Sequence, residues 1–313
     1  MTVAVLTDTT SALPDREAAE WGIHLVPLTV TVDGRTYRDG EIAPEHLVGA
    51  DQPTALHTAG PSPGEFVRQL ESAMAPSSAT AGGADIGAAG AEGGADGAVI
   101  ITVAEALSST YACARLAAGS SALPVEIVDS GTAAGGQALV ALAAAQQARA
   151  GAGLAEVAKA ARDAAAKVRL VGCMRSLDRL VASGRVPEIA GVATRRLGVW
   201  PMFELSAGRI RPLRPARSAV SAIDRIADMC GRGATERSRS GGEDVVADVI
   251  VLDSGLPDAA VKLLARVRER ARTGYELSTP FGSAMTVHTG TGVLGLAWLW
   301  RPRTAAGPAP PTS

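Results

Sequence analysis

Aromatic residues are scarce in this chain: three Phe, four Trp and three Tyr among 313 residues, or 3%. A surface that stacks successive bases of single-stranded nucleic acid needs more than that. A basic stripe is missing too. Lys and Arg total 30 against 32 Asp and Glu, a net charge of −2, and no run of cations is long enough to track phosphates. Nucleic acid is therefore excluded as a partner. Cysteine is limited to Cys113, Cys173 and Cys230, an odd number with no C-x-x-C pair. That spacing supports neither a zinc site nor a disulfide framework, so no metal is expected, and it suits a reducing compartment. No apolar run reaches membrane-spanning length, so no stable membrane insertion is expected. The opening Met1-Thr-Val-Ala-Val-Leu-Thr-Asp8 lacks the basic n-region of a signal peptide. These absences lead to the expectation of a soluble, cytoplasmic protein.

What is present is an ordinary core composition, 47% apolar and 20% charged, and enough chain for two domains. Thr2–Thr7 reads as a buried strand, with a helix from Pro14 to Gly22. Ile23–Val32 alternates and is rich in Val and Thr, which predicts a strand before the Asp33-Gly34 turn and Arg35–Tyr37. Ala98–Val103 and Val125–Val128 are further strands. The first leads through Ala106-Leu-Ser-Ser-Thr-Tyr111 into a helix ending near Ala118. The second leads into two Ala-rich helices on either side of Gly151-Ala-Gly153. Residues 75–97, mostly Ala, Gly and Ser without periodicity, read as a flexible insertion.

The second half is less regular. Val168–Met174 predicts a strand, and Leu177–Ser183 a short helix ending at Gly184-Arg185. Leu197–Leu205 and Arg209–Arg214 read as strands around the turn Ser206-Ala-Gly208. Ser218–Cys230 predicts a helix, and the Gly-rich, polar 231–244 a flexible loop. Val245–Leu252 is a strand, Asp258–Arg270 a helix, and Met285–His288 a strand leading into Thr289-Gly-Thr-Gly292. The Pro-rich tail 302–313 is expected to be disordered. The expected fold is α/β in two domains. The N-terminal domain (1–160) carries a parallel, Rossmann-like sheet, and the C-terminal domain (161–301) an α/β unit with a mixed sheet. Parallel sheets bind ligands at the carboxyl ends of their strands. Here those ends are Asp8-Thr-Thr-Ser11, Ala106-Leu-Ser-Ser-Thr110 and Asp129-Ser-Gly131.

The most informative stretch is His57-Thr-Ala-Gly-Pro-Ser-Pro-Gly-Glu-Phe66, a turn-rich run feeding a helix. Hydroxyls and free N–H groups at such a junction can grip an anion. Ser62 and Glu65 have capping-box spacing, and Pro63 occupies the first helical position. Gly60-Pro-Ser-Pro-Gly64 also matches the nucleophile elbow G-x-S-x-G, but an elbow follows a core strand, and Asp51–His57 reads as loop. Ser62 is therefore assigned to the cap. Thr58, which the cap does not need, faces the space above the helix end. Asp8 has no second carboxylate at metal-binding spacing and is assigned a structural role, as are Asp129 and Ser130.

Several of these segments, in their order and spacing, resemble the DegV family of bacterial fatty-acid-binding proteins. They include Val5-Leu-Thr-Asp-Thr-Thr10, Val26-Pro-Leu28, Tyr37-Arg-Asp-Gly40, Thr58–Phe66 and Leu107-Ser-Ser-Thr-Tyr111. Val128-Asp-Ser130, Leu177-Asp-Arg-Leu-Val-Ala-Ser-Gly-Arg185, Gly208-Arg-Ile-Arg-Pro212 and His288-Thr-Gly-Thr-Gly292 complete the set. The resemblance implies a lipid-binding protein, not an enzyme, that holds a long-chain fatty acid between two domains. It also implies a partner, a fatty acid kinase, to which the carboxylate is presented for conversion to acyl phosphate in phospholipid metabolism. Carried over by position, Thr58 and Ser108 bind the carboxylate with Gly60 and Ser109 beside them. Arg185 and His288 support the head group. No cofactor is implied, and a monomer is expected.

Neutral hydroxyl donors at two helix starts can satisfy a carboxylate without a buried ion pair, and they leave one oxygen open to a phosphoryl donor. The chain departs from the family pattern where Ala59 and Gly60 replace a usual Ser-Gln, and where Ser109 replaces a Gly. The head-group site is thus expected to be less densely polar. Two other readings stand beside this one. One is a ligand-free regulatory or scaffold member of the fold. The other is a serine hydrolase using Ser62 or Ser108 with His288, which lacks an assignable acid.

Overall fold

Val3–Asp8 is buried at every position and forms strand β1. Asp15–Trp21 follows as helix α1 and stops at Gly22, whose φ of +67° suits the left-handed cap. The expected single strand over Ile23–Val32 is two. Strand β2 (Ile23–Val26) pairs with β1, whereas β3 (Thr29–Val32) belongs to another sheet. Pro27, which has no N–H for a ladder, stands at the break. β3 pairs antiparallel with β4 (Arg35–Arg38) and with β5 (Leu56–Ala59). The loop expected at this point is therefore partly strand, and Thr58 lies within it. The computed structural model describes residues 2–47, 55–75, 94–185, 199–239 and 244–303.

Helix α2 (Pro63–Met74) carries Phe66 and Leu70 inward at helical spacing. Residues 76–93 of the expected insertion lie outside the described residues, and its last residue, Gly97, opens strand β6 (Gly97–Thr102). Helix α3 (Thr110–Ala118) and strand β7 (Val125–Asp129) follow. The parallel sheet has the order β2-β1-β6-β7. Helices α2 and α3 cover one face around Leu6, Ile100, Phe66 and Leu70.

The other face holds helices α4 (Ala134–Arg149) and α5 (Leu154–Ala165). From Ala134 to Leu142 every residue of α4 is buried, because the helix lies between two sheets. Beyond it stands a mixed sheet of order β10-β9-β8-β13-β11-β12. Its strands are β8 (Arg169–Met174), β9 (Trp200–Ser206), β10 (Arg209–Ala216), β11 (Val245–Ser254), β12 (Thr273–Pro280) and β13 (Val293–Pro302). Gly135 makes the approach of α4 possible, since a Cβ there would stand 2.9 Å from Ile250 of β11. Helix α6 (Asp178–Ala182) follows β8. Helices α7 (Ala219–Arg239) and α8 (Pro257–Arg270) pack around Ile226, Cys230, Leu263 and Trp298 on the outer face. Strand β12 gave no clear signal in the sequence.

Two other expectations need correction. The flexible loop over 231–244 is helix as far as Arg239, and 240–243 lie outside the described residues. Gly231 and Gly233 do not break α7. They allow close approach, since a Cβ would meet Arg270 at 3.0 Å and the Trp300 indole at 2.8 Å. Met285–His288 is not a strand but part of helix α9 (Ser283–Thr289). Pro302 of the expected tail ends β13, and 304–313 lie outside the described residues. Among the described residues, no helix is long and apolar enough to cross a membrane.

Candidate functional site

The chain's two halves meet in polar detail. The Tyr275 hydroxyl donates to Glu17 at 2.9 Å, and Thr279 to the Ala12 carbonyl at 3.2 Å. The β9–β10 turn reaches the loop after β7, where Gly208 N–H donates to Gly131 O at 2.6 Å. The proposed ligand residues lie at this kind of junction. Thr58 Oγ1, on the last turns of β5, is 2.7 Å from Nε2 of His288 on α9. The contact joins residues 230 positions apart.

A second hydroxyl pair stands at the start of α3. Ser108 Oγ is 2.8 Å from Thr110 Oγ1 and also accepts the Thr110 N–H at 3.3 Å. Ser108 Oγ thus closes a local turn at the start of α3, while Ser109, at the N-cap position, is exposed and makes no capping bond. Gly60 brings the two groups together. A Cβ at Gly60 would lie 2.7 Å from Thr110 Oγ1 and 3.6 Å from Ser108 Oγ. A side chain here would require the Thr110 hydroxyl to move. The Thr58–His288 pair and the Ser108–Thr110 pair thus lie in one region of the fold, linked by Gly60, which stands two residues after Thr58 and packs against the second pair. Thr110, fully buried, belongs to that region and was missed by sequence reasoning, although it stands inside the Leu107–Tyr111 motif.

Arg185 is exposed at the end of α6, where its guanidinium donates to Ser183 O at 2.7 Å. Its charge still reaches His288. Burial, and secondarily Arg185, lower the His288 pKa from 6.5 to about 4, so the imidazole is neutral near pH 7. If Nε2 carries the proton, it donates to Thr58 Oγ1 and frees the Thr58 hydroxyl to donate onward. Between pH 6.5 and about 4 the unfolded chain binds more protons at His288 than the folded one. Stability is therefore expected to fall as pH drops through that window. A His288→Gln variant should show a shallower fall in melting temperature over the same range, and an unchanged slope would contradict the assignment.

Ser62 is a helix cap. Its Oγ accepts the Glu65 N–H at 3.2 Å, and its own N–H donates to Glu65 Oε2 at 2.8 Å. His288 Nε2 is paired with Thr58, Ser108 Oγ with Thr110 and Ser62 Oγ with Glu65, so neither of these two serines is paired with His288. Asp8 is fully buried. It accepts from Val103 N–H (2.9 Å), Gln137 Nε2 (2.9 Å), Thr10 N–H (3.1 Å) and the Thr10 hydroxyl, and burial pushes its pKa up. It ties β1 to the end of β6 and to α4. Asp129 accepts from Gly131 N–H at 2.8 Å and Glu105 N–H at 3.2 Å, a turn-holding role. Among the described residues, no three His, Cys, Asp or Glu gather to hold a metal.

A cavity of about 320 Å³ lies elsewhere, lined by Lys167, Arg169, Met229, Arg232, Trp298 and Trp300. It shares no residue with the Thr58–His288 cluster. Arg169, on its wall, already pairs with Glu204 at 2.7 Å.

A parallel sheet and a mixed sheet on either side of a buried helix, with a small third sheet whose strand β5 meets α9 through Thr58 and His288, define an α/β protein. The model of the DegV family, described as uncharacterised proteins, matches residues 2–81 and 85–301, and the chain belongs to that family. A DegV domain-containing protein of Streptomyces coelicolor is 33% identical over 297 residues, covering 94% of this chain and 97% of its own length. One from Mycobacterium tuberculosis is 30% identical over 307 residues, covering 95% and 96%. Among solved structures, a fatty-acid-binding DegV family protein from Thermus thermophilus superposes with a TM-score of 0.81. It is 24% identical, with 96% of this chain and 99% of that one covered. DegV of Bacillus subtilis, described as a fatty acid binding protein, gives 0.78 at 22% identity, covering 96% and 100%.

Proposed function

We propose that this protein binds a long-chain fatty acid between two domains, 1–160 and 161–301, and presents its carboxylate to a fatty acid kinase. The product would be an acyl phosphate feeding phospholipid metabolism. The observation that supports the reading is the Thr58 contact with a neutral His288, together with Gly60, two residues further on, packed against the Ser108–Thr110 hydroxyl pair. Neutral donors suit a carboxylate that must stay reactive, because none of them claims both oxygens as an Arg fork does. The relatives described as fatty-acid-binding share the fold and support the same ligand class.

In this role the protein supplies no catalytic residue and needs no metal or cofactor. The ATP chemistry belongs to the kinase. A cytoplasmic monomer that docks transiently fits a carrier, and Arg185, exposed beside the head group, is placed to meet the incoming partner. The test is the mass spectrum of small molecules released on denaturing freshly purified protein. A long-chain fatty acid near one equivalent per chain is expected. An extract free of acyl chains, together with no uptake of added fatty acid, would overturn the reading and favour a ligand-free scaffold.

A further inference from the structure

Helix α9 carries His288 but has no cap of its own. Gly282, at its N-cap position, offers no side chain, and seven residues are too few to hold a helix by propensity. The missing acceptor comes from Asp39, just past β4 and 245 positions away, whose Oδ1 accepts the Ala284 N–H at 3.0 Å. Burial pushes the Asp39 carboxyl above the usual carboxylate range, opposed by hydrogen bonds from the Ala284 N–H, the Thr9 side chain, and the Ser283 and Gly40 N–H groups. Gly282 is what lets the carboxylate in, since a Cβ there would lie 3.2 Å from both Asp39 oxygens. The Asp39 N–H is itself anchored to Leu28 O at 2.8 Å, and Ser283 Oγ donates to Ile42 O.

The two outer strands of one small sheet therefore grip the two ends of α9. From the end of β4, Asp39 holds its first turn. From β5, Thr58 meets its last turn at His288. Ala284, whose N–H Asp39 receives, is four residues before His288, so its carbonyl is the helical partner of the His288 N–H. We propose that Asp39 is a positioning residue, whose carboxylate fixes the start of α9 and so holds the His288 ring against Thr58. Its effect on ligand affinity rests on the fatty-acid reading above; its effect on His288 does not.

The experiment follows the four histidines of the full chain by NMR titration in the wild type, Asp39→Ala and Gly282→Ala. Arg185 is the charge that acts on His288, and Arg179 packs by Gly290 and donates to the Val287 carbonyl at 3.5 Å. His24 on β2, also shifted down by burial, is the internal control. In Asp39→Ala the His288 pKa should rise from about 4 towards 6.5, as the ring leaves its buried place, while His24 stays put. Fatty-acid affinity should fall about fivefold, the scale of a lost helix cap. Gly282→Ala keeps the carboxylate but pushes it back, so a smaller rise in the same direction is expected, and this variant carries the test if Asp39→Ala does not fold. General loosening would move both histidines. His288 titrating as in the wild type in the folded variants, or moving only together with His24, would overturn the proposal. A wild type that binds no fatty acid would refute the ligand and leave the His288 titration to decide on Asp39.

Discussion

Replacing Thr58 and Ser108 together by alanine is expected to lower long-chain fatty-acid affinity by about 100-fold or more, since each hydrogen bond to a charged group contributes roughly 1.5–3 kcal/mol. Each single variant should lose less. Thr110 Oγ1, 2.8 Å from Ser108 Oγ, can partly replace the Ser108 hydroxyl. Thr58→Ala should be the more costly single change, because it also strips His288 Nε2 of its partner at 2.7 Å. Neither side chain is in the apolar core, so the folded state should survive both changes. Calorimetric titration of delipidated protein with a long-chain fatty acid reads the effect. A double variant that binds like the wild type would remove both hydroxyls from the site.

Asp8→Ala is expected to cost about 3 kcal/mol of stability in chemical denaturation, the order set by two buried donors left without acceptors. Val103 N–H and Thr10 N–H both lose their partner. Gln137 keeps Thr7 Oγ1 at 3.0 Å, and Thr10 keeps Gln137 Oε1 at 2.8 Å, which limits the loss. Removing a carboxylate whose burial already opposes its charge limits it further. Asp8→Asn, which retains an acceptor, should lose less. If Asp8→Ala were as stable as the wild type yet bound ligand poorly, Asp8 would be a ligand residue and the structural assignment would fail.

The parallel sheet was legible because β1 and β6 are largely apolar runs, each followed by a loop that leads into a helix, with Pro14 and Gly22 marking the ends of the first. Ser62 was legible because a capping box is local: Ser62, Pro63 and Glu65 decide it among themselves. What escaped depended on distant partners. Helix α9 looks like a strand, since Met285-Thr-Val-His is partly β-branched and the segment is short. Its helical start is supplied by Asp39 from the far side of the chain. Strand β5 is four residues with alternate exposure, and its pairing with β3 is invisible in its own composition. In α7 the glycines that suggested a loop answer to the Arg270 backbone and the Trp300 indole instead.

The cluster was legible to a similar degree. The motifs around Thr58, Ser108 and His288 named the residues, and their proximity came only with the fold. Two contributors had no signal of their own. Thr110 stood one position past the serines that drew attention, and Asp39 lay in a motif that carried no assigned role. The missing polar side chains at Ala59 and Gly60 take on a physical meaning. A Cβ at Gly60 would lie 2.7 Å from Thr110 Oγ1, so a side chain there would require Thr110 to shift.

The most direct test is a crystal structure of the protein saturated with a long-chain fatty acid. The carboxylate should lie about 2.6–3.2 Å from Thr58 Oγ1 and Ser108 Oγ, within ordinary hydrogen-bond reach, with the acyl chain leading away between the two halves. A carboxylate seated elsewhere, or hydroxyls of Thr58 and Ser108 that keep their present partners while the ligand binds at another place, would contradict the account.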